Sequence, residues 1–449
     1  MDQPLGVGKQ ASYGLGQIAG QIFRDVPSLL LLFFLTNIEG IEPVFAGIAI
    51  FFPKLLVGVG SDIVMGSLSS RLKAKFPMSR WLLTGAFLAP IPLILLFSVP
   101  DIAWQMKLIY VAFIFSLYMS IYSSFSVPYL ALAASLTQTP EERTKLMAWR
   151  LAFTGLGLLI AAGAAPAFVA QRGGGETAYI EMAVVLSIIC SISLLIAYLG
   201  TYKAAVVSTA EGAVETNADV IEPHELNKLS MAAIISAMKD RRFSKLLIAN
   251  ILQLTGGGMN YAALLYFMTY NMQRADALSV IGLLMFAIVL GIILSQPVWV
   301  AIAKRVGKRK AYMAATTLHI GSILVWIGWP TAPFEIICVW AFLAGVGNSG
   351  WTMLGFSMVA DLEAEEKDGI FSSLWVAADK VGFALGGTLL IGITLSAVGF
   401  DSSKAAAGLP QSDMAVQGIM LAFGLFPSTL YLISLILMAG WKHRAEEHA

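Results

Sequence analysis

Long apolar segments recur along the whole chain, and they restrict its fold more than any other feature. Of the 449 residues, 57% are hydrophobic and only 13% are charged, whereas soluble proteins carry about 25% charged residues. A helix needs about twenty apolar residues to cross the hydrocarbon core of a bilayer. The sequence therefore predicts an all-α membrane protein with twelve transmembrane helices, at approximately 12–37, 43–70, 80–99, 104–135, 147–171, 177–202, 244–272, 276–303, 311–329, 333–361, 369–398 and 413–441.

One long polar stretch divides these segments into two groups of six. We expect residues 1–203 to form an N-terminal six-helix bundle, 204–242 a cytoplasmic linker with a surface helix, and 243–449 a C-terminal six-helix bundle. With the N-terminus inside, the connections on the cytoplasmic side carry 22 lysines and arginines against 3 on the other side. This imbalance predicts that both termini are cytoplasmic, and a bacterial inner membrane is the expected location.

Composition and motifs argue against several classes of function. A net charge of +1 leaves no basic face for a nucleic acid. Cys190 and Cys338 lack metal-ligand spacing and are expected to be buried free thiols. The sequence contains no P-loop, no H-E-x-x-H and no nucleophile–base pair at a recognisable spacing. We therefore expect neither an enzyme nor a bound cofactor or metal, and any transport would use an ion gradient or the solute's own gradient.

The second apolar segment carries two opposite charges, Lys54 and Asp62. They are eight residues apart, so both project from roughly one face of a helix. An ionised group near the middle of a membrane helix costs about 2.5–3.5 kcal/mol, so it usually faces a partner or a water-filled cavity. Gly58 and Gly60 leave the backbone between the two charges open to close approach. The pair either locks helices together or forms part of a cation site, which Ser61 would extend.

The first segment contains the adjacent charges Arg24 and Asp25. Neighbouring side chains on a helix diverge by about 100°, so both cannot be buried against one partner. We expect one of them to face a solute-binding cavity, where Pro27 would free a backbone carbonyl. In the alternative interpretation, the pair lies at the outer end of the helix and extends to the interface.

Uncharged polar and aromatic side chains supply the other candidate contacts for a solute. Gln253 and Asn260 flank three glycines in the seventh segment, as in a flexible helix that lines a cavity. Trp351 and Trp375 present aromatic faces beside polar groups, which suits an amphipathic solute or a sugar ring. Tyr122 in the fourth segment belongs to the same predicted set. Tryptophans in membrane helices also pack against lipid or other helices, and that interpretation stays open.

Two basic turns, RLKAKFPMSR and KRVGKRKAY, follow the second and eighth segments. Their placement six helices apart suggests two homologous halves. Both turns resemble the signature loops of the major facilitator superfamily, which implies the major facilitator fold. We expect the arginines of these and neighbouring connections to act in gating loops rather than to bind solute; they are Arg71, Arg143, Arg150 and Arg305.

Longer stretches resemble one family within that superfamily, the glycoside–pentoside–hexuronide:cation symporters. The stretches are YGLGQIAG in the first segment, SDIVMG in the second, SFSVPYLALAASLTQTPEERTKLMAWRLAF after the fourth, and DGIFSSLWVAADKVGFALGG entering the eleventh. The resemblance covers most of the chain. It implies alternating access between two six-helix bundles, with a cation driving solute transport.

The resemblance also assigns residues, with departures. The family usually carries two cation-binding aspartates one helical turn apart; Asp62 stands at the second position and Gly58 at the first. Lys380 matches the family's lysine beside the cation site and is expected to be the alternate partner of Asp62. Gln21 and Ser126 stand where sugar-transporting members carry acidic residues. A single carboxylate facing a lysine favours proton coupling, while nearby serine hydroxyls leave sodium open.

These features together predict a cation-coupled secondary symporter of a sugar-related or amphipathic organic solute. Loss of the two acidic acceptors, together with Arg24, favours an acidic or amphipathic solute such as a uronide, an acidic glycoside or a lysolipid. The alternatives are a lysolipid-type transporter and a non-transporting assembly or sensor protein with the same fold. The expected partners are the small organic solute, a proton or sodium ion and membrane lipid, and the protein is expected to be a monomer.

Overall fold

The computed structural model describes residues 6–72, 75–137, 139–202, 231–366 and 370–441. Within these residues the chain forms twelve long helices, and each predicted apolar segment is one of them, so the predicted all-α class is confirmed. The helices are α1 (Val7–Asn37), α2 (Pro43–Leu72), α3 (Met78–Leu96), α4 (Trp104–Leu136), α5 (Glu142–Gln171), α6 (Glu176–Thr201), α7 (Arg241–Tyr266), α8 (Ala277–Val306), α9 (Lys308–Gly328), α10 (Phe334–Glu363), α11 (Ile370–Ala397) and α12 (Asp413–Ala439).

Eleven of these twelve helices are long and apolar enough to cross a membrane; α7 is the exception. Helix α7 contains three consecutive glycines and several amide and hydroxyl side chains among its apolar residues. Asp240 caps its first turn by accepting hydrogen bonds from the backbone N–H groups of Arg242 and Phe243. A short helix, Met231–Lys239, precedes it in the amphipathic part of the predicted linker. The rest of that predicted linker, residues 204–230, lies outside the described residues.

The described residues form two compact units. The first unit contains residues 6–27 and 52–202, and the second contains residues 28–51 and 231–441. The end of α1 and the beginning of α2 therefore belong to the second unit. There Thr36 Oγ1 lies 2.5 Å from Tyr266 Oη, and Ser396 Oγ accepts a hydrogen bond from the Val44 N–H at 2.9 Å.

Two π-helical segments lie where α1 and α2 pass between the units. They are Pro27–Leu31 and Pro53–Val57, and each begins at a proline. Proline has no N–H to donate and its ring crowds the preceding turn, so the regular helical hydrogen-bond pattern is interrupted there. The sequence analysis noted Pro27 but did not predict these segments, which place Asp25 and Lys54 beside local irregularities of the backbone.

Glycines bring α7 and α11 into close contact within the second unit. A Cβ atom added at Gly386 would overlap the backbone carbonyl of Thr255, and one added at Gly258 would overlap that of Phe383. Helices pack this closely where small residues let the backbones approach. The contact between α7 and α11 therefore depends on the absence of side chains at these positions.

We predict that Gly386→Ala destabilises the protein, because the added methyl group must displace the Thr255 carbonyl. Overpacking of this kind typically costs about 1–3 kcal/mol. The measurement is the thermal unfolding temperature of the purified protein in detergent. Gly321→Ala is the matched control, because a Cβ at Gly321 meets nothing within 4 Å. An equal unfolding temperature for both variants would contradict the close contact.

Candidate functional site

A group of oxygen atoms surrounds Asp62 between α2 and α4. The Ser123 hydroxyl donates a hydrogen bond to Asp62 Oδ1 at 2.6 Å, and the hydroxyls of Ser61 and Ser123 lie 2.7 Å apart. Ser61 also donates to the Gly58 carbonyl at 3.1 Å. Asp62 is only 9% exposed, so the carboxylate is held inside the unit by hydroxyl groups.

Ser123 is a site residue that the sequence analysis missed. Ser126, the residue that was predicted, lies nearly one helical turn further along α4 and is half-buried. The two serines are three residues apart and share one face of the helix. The stretch SIYSSFS offers several serines on nearby faces, and the helical period alone does not select the one that reaches Asp62.

A second group of polar side chains surrounds Asp25 on α1. Gln21 Nε2 donates a hydrogen bond to Asp25 Oδ2 at 2.5 Å, and Arg24 Nε pairs with Asp25 Oδ1 at 3.1 Å. The Arg24 side chain is 61% exposed and that of Asp25 is 9% exposed. Lys54 on α2 is half-buried and interacts electrostatically with both Asp25 and Arg24. Asp25 therefore stands among two cations and one amide.

Hydrogen bonds extend this Asp25 group from α1 to α5. Gln17 Nε2 donates to Gln21 Oε1 at 3.5 Å, and Arg150 Nε donates to Gln17 Oε1 at 3.0 Å. Arg150 was predicted as a gating-loop residue, and its guanidinium is bound to the α1 network. Tyr122 on α4 stacks its ring on that of Phe23 at 6.0 Å between centroids, and it interacts electrostatically with Arg24, Asp25 and Asp62.

The amide side chains predicted in α7 are engaged by other helices of the second unit. Gln253 is fully buried; it donates to Thr316 Oγ1 and accepts from Tyr312 Oη, each at 2.9 Å. Asn260 donates to the Phe423 carbonyl and accepts from Tyr431 Oη. Both amides hold helices together in this conformation.

The two predicted tryptophans lie in the hydrophobic core of the second unit. Trp351 is 2% and Trp375 is 3% exposed. Trp375 packs over Gly355, where an added Cβ would lie 3.1 Å from the indole ring. The Trp351 Nε1 is buried and has no hydrogen-bond partner among the described residues. Trp351 lies edge-on to His319, 6.5 Å between ring centroids.

The remaining predicted residues are dispersed. Lys380 is exposed on α11, and Arg71 and Arg305 are exposed near the ends of α2 and α8. Arg143, at the start of α5, is half-buried. The structure thus brings together the predicted residues of α1 and α2 in the first unit, and it places those of the second unit in packing contacts or at helix ends.

Twelve long helices with charged side chains buried inside the bundle are typical of a secondary transporter of the major facilitator type. Residues 12–442 match the sequence profile of the family described as MFS/sugar transport protein. The chain belongs to this family, as the sequence resemblance implied. It is therefore a multi-pass membrane protein and a transporter of the sugar-related branch, not an enzyme.

Similar proteins agree with this assignment. The inner membrane symporter YicJ of Escherichia coli is 25% identical over 96% of this chain and 91% of its own length. A candidate 2,3-dihydroxypropane-1-sulfonate exporter of the same organism is also 25% identical, over 96% and 91%. Among solved structures, the nucleoside transporter NupG has the same fold, with a TM-score of 0.66 at 12% identity, covering 96% of this chain and 99% of that one.

Proposed function

We propose that this chain is a proton-coupled symporter of an anionic, sugar-related solute, in a bacterial inner membrane with both termini cytoplasmic. The proposal of proton coupling rests on one observation, which is that the buried Asp62 carboxylate lies beside the hydroxyls of Ser61 and Ser123. A relative named as an inner membrane symporter supports coupled transport. The proposal that the solute is anionic is supported by the exposed Arg24 and the half-buried Lys54 beside Asp25.

Asp62 is suited to bind and release a cation because the hydroxyl groups beside it can form hydrogen bonds with both the ionised and the protonated carboxyl group. A hydroxyl group both donates and accepts hydrogen bonds. Ser123 can therefore donate to an ionised Asp62, and it can accept from a protonated one without leaving a buried polar atom unpaired. With one carboxylate and two hydroxyls, the group provides fewer charged ligands than a typical site for a hard metal cation. We infer that the coupled cation is a proton, with sodium as the competing outcome.

The charges around Asp25 favour a solute with a negative group. Arg24 and Lys54 contribute two positive charges against one negative charge, so the group as a whole is positive. Arginine binds carboxylate and sulfonate oxygens through charge-assisted hydrogen bonds. A relative of this chain is named for a sulfonate, which supports an anionic solute. Gln21 binds Asp25 and orients its carboxylate toward the two cations.

We predict that Asp62→Asn abolishes solute accumulation but leaves protein in the membrane, because an amide cannot carry the coupled proton. The measurement is uptake by energised cells of the best solute in a panel containing a neutral disaccharide, a uronide, 2,3-dihydroxypropane-1-sulfonate and a lysolipid. The internal concentration should not exceed the external one. Asp101→Asn, in an exposed loop position, should accumulate solute normally. Uphill uptake by Asp62→Asn would refute the assignment.

We also predict that Arg24→Gln narrows the preference for anionic over neutral solutes. A hydrogen bond to a charged group contributes about 1.5–3 kcal/mol against about 0.5–1.5 for a neutral one, a difference of roughly tenfold in affinity. Competition by the uronide and the neutral disaccharide measures this preference. Arg172→Gln is the control, because Arg172 is similarly exposed and pairs with Glu181 at 3.3 Å. Tight disaccharide binding that is unchanged in Arg24→Gln would show an ordinary neutral-sugar site.

A further inference from the structure

A further carboxylate, Asp379, lies within a membrane-spanning helix of the second unit. It is nine residues beyond Ile370, the first residue of α11, and thus about 14 Å along the helix. Asp379 is half-buried, and Asn250 Nδ2 on α7 donates a hydrogen bond to its Oδ1 at 2.8 Å. Asn250 is itself only 2% exposed.

No lysine or arginine among the described residues forms an ion pair with Asp379. Lys380 follows it directly, but neighbouring helical side chains diverge by about 100°. Lys245 on α7 donates to the Gly440 carbonyl at 3.1 Å. The helices with the most extensive contacts to the Ile370–Ala384 part of α11, which contains Asp379, are α7, α10 and the short helix Met231–Lys239. Near the end of α11 that begins at Ile370, these helices carry other charged side chains that are engaged elsewhere: Arg242 pairs with Asp240, Asp361 pairs with Lys308, and Glu363 accepts a hydrogen bond from Ser372. The remaining described charged side chains there are Lys239 and Arg241.

An ionised carboxylate in this position raises the free energy of the folded protein, because a single amide donor compensates little of its lost hydration. A proton removes that cost. Among the described residues, the hydrogen bond from Asn250 is the one polar contact shown for Asp379, fewer ligands than a hard metal cation requires, and the same residues contain no group of three histidine, cysteine, aspartate or glutamate side chains. Proton binding is therefore the chemistry that fits Asp379.

Asn250 is a partner suited to both protonation states of Asp379. An amide has two donors and one acceptor. Its N–H group can donate to an ionised carboxylate, and after a 180° rotation its oxygen can accept from the protonated acid. The proton therefore enters from water and leaves again without leaving a buried polar atom unpaired. Because Asp379 is only half-buried, a proton can pass between water and its carboxyl group.

The Asp379–Asn250 pair lies on the same helix contact as the glycines described above. Asp379, Gly382 and Gly386 are spaced by three and four residues and share one face of α11. A Cβ added at Gly382 would lie 3.0 Å from the Ile251 carbonyl, next to Asn250. Any change in the spacing of α7 and α11 at this end therefore changes the hydrogen bond between Asn250 and Asp379.

We propose that Asp379 and Asn250 form a second proton-binding site, in the second unit, whose occupancy stabilises the contact between α7 and α11. This proposal is independent of the coupling role of Asp62. If Asp62 does not couple transport, the Asp379 site still binds its proton.

Infrared difference spectroscopy of the purified protein in lipid, recorded between alkaline and acidic pH, tests this site. The carbonyl-stretch band of a protonated carboxylic acid should develop as the pH falls. We expect one component of this band to be lost in Asp379→Asn and retained in Asp62→Asn. Asp361→Asn is the matched control, since Asp361 pairs with Lys308 at 2.6 Å on a neighbouring helix; it should retain the Asp379 component.

A second variant keeps the test informative if Asp379→Asn fails to fold. Asn250→Ala retains the carboxyl group but removes its amide partner, so the pH at which the Asp379 component is half-developed should shift. An Asp379→Asn spectrum identical to that of the wild type would overturn the proposal. In the absolute spectrum, a carboxyl band that is lost in Asp379→Asn but keeps the same intensity over the whole pH range would also overturn the proposal, because Asp379 would then be a permanently neutral structural acid.

Discussion

A carboxylate inside an apolar helix bundle must be compensated, and this requirement organises the polar interior of the protein. Asp25, Asp62 and Asp379 each receive a hydrogen bond from an uncharged side chain, Gln21, Ser123 and Asn250 respectively. Burying an ionised group without such partners costs several kcal/mol. An uncharged donor stabilises a carboxylate without cancelling its charge, so Asp62 and Asp379 can still respond to a proton or a cation, whereas Asp25 is also paired with Arg24.

The backbone of α1 and α2 places two of these groups where the helices change their packing partners. Asp25 lies two residues before one π-helical segment, and Lys54 lies within the other. Helical irregularities of this kind are frequent at functional sites, because the interrupted hydrogen-bond pattern lets a helix bend or twist locally. A charge change at Asp25 or Lys54 therefore acts at or beside an irregular segment of the helix.

Much of the fold could be predicted from the sequence, because apolar segment length is a local property that the bilayer dictates. All twelve predicted segments became helices with nearby ends. The passage of residues 28–51 into the second unit could not be predicted, since it depends on tertiary contacts such as Thr36 with Tyr266. The same reason explains why the sequence pointed to some residues of the candidate site and not to others. Asp62 is conspicuous as a charge in an apolar run, whereas Ser123 is one of several serines and Asp379 is hidden beside Lys380.

Coupled movement of a proton with the solute is the central claim, and external pH reports it most directly. The measurement is a recording with a pH electrode in a lightly buffered suspension of cells that express the protein, during addition of the transported solute. We predict a transient alkalinisation that is unchanged when sodium is replaced by choline. Uptake that is stimulated by sodium at fixed pH, without any alkalinisation, would contradict proton coupling.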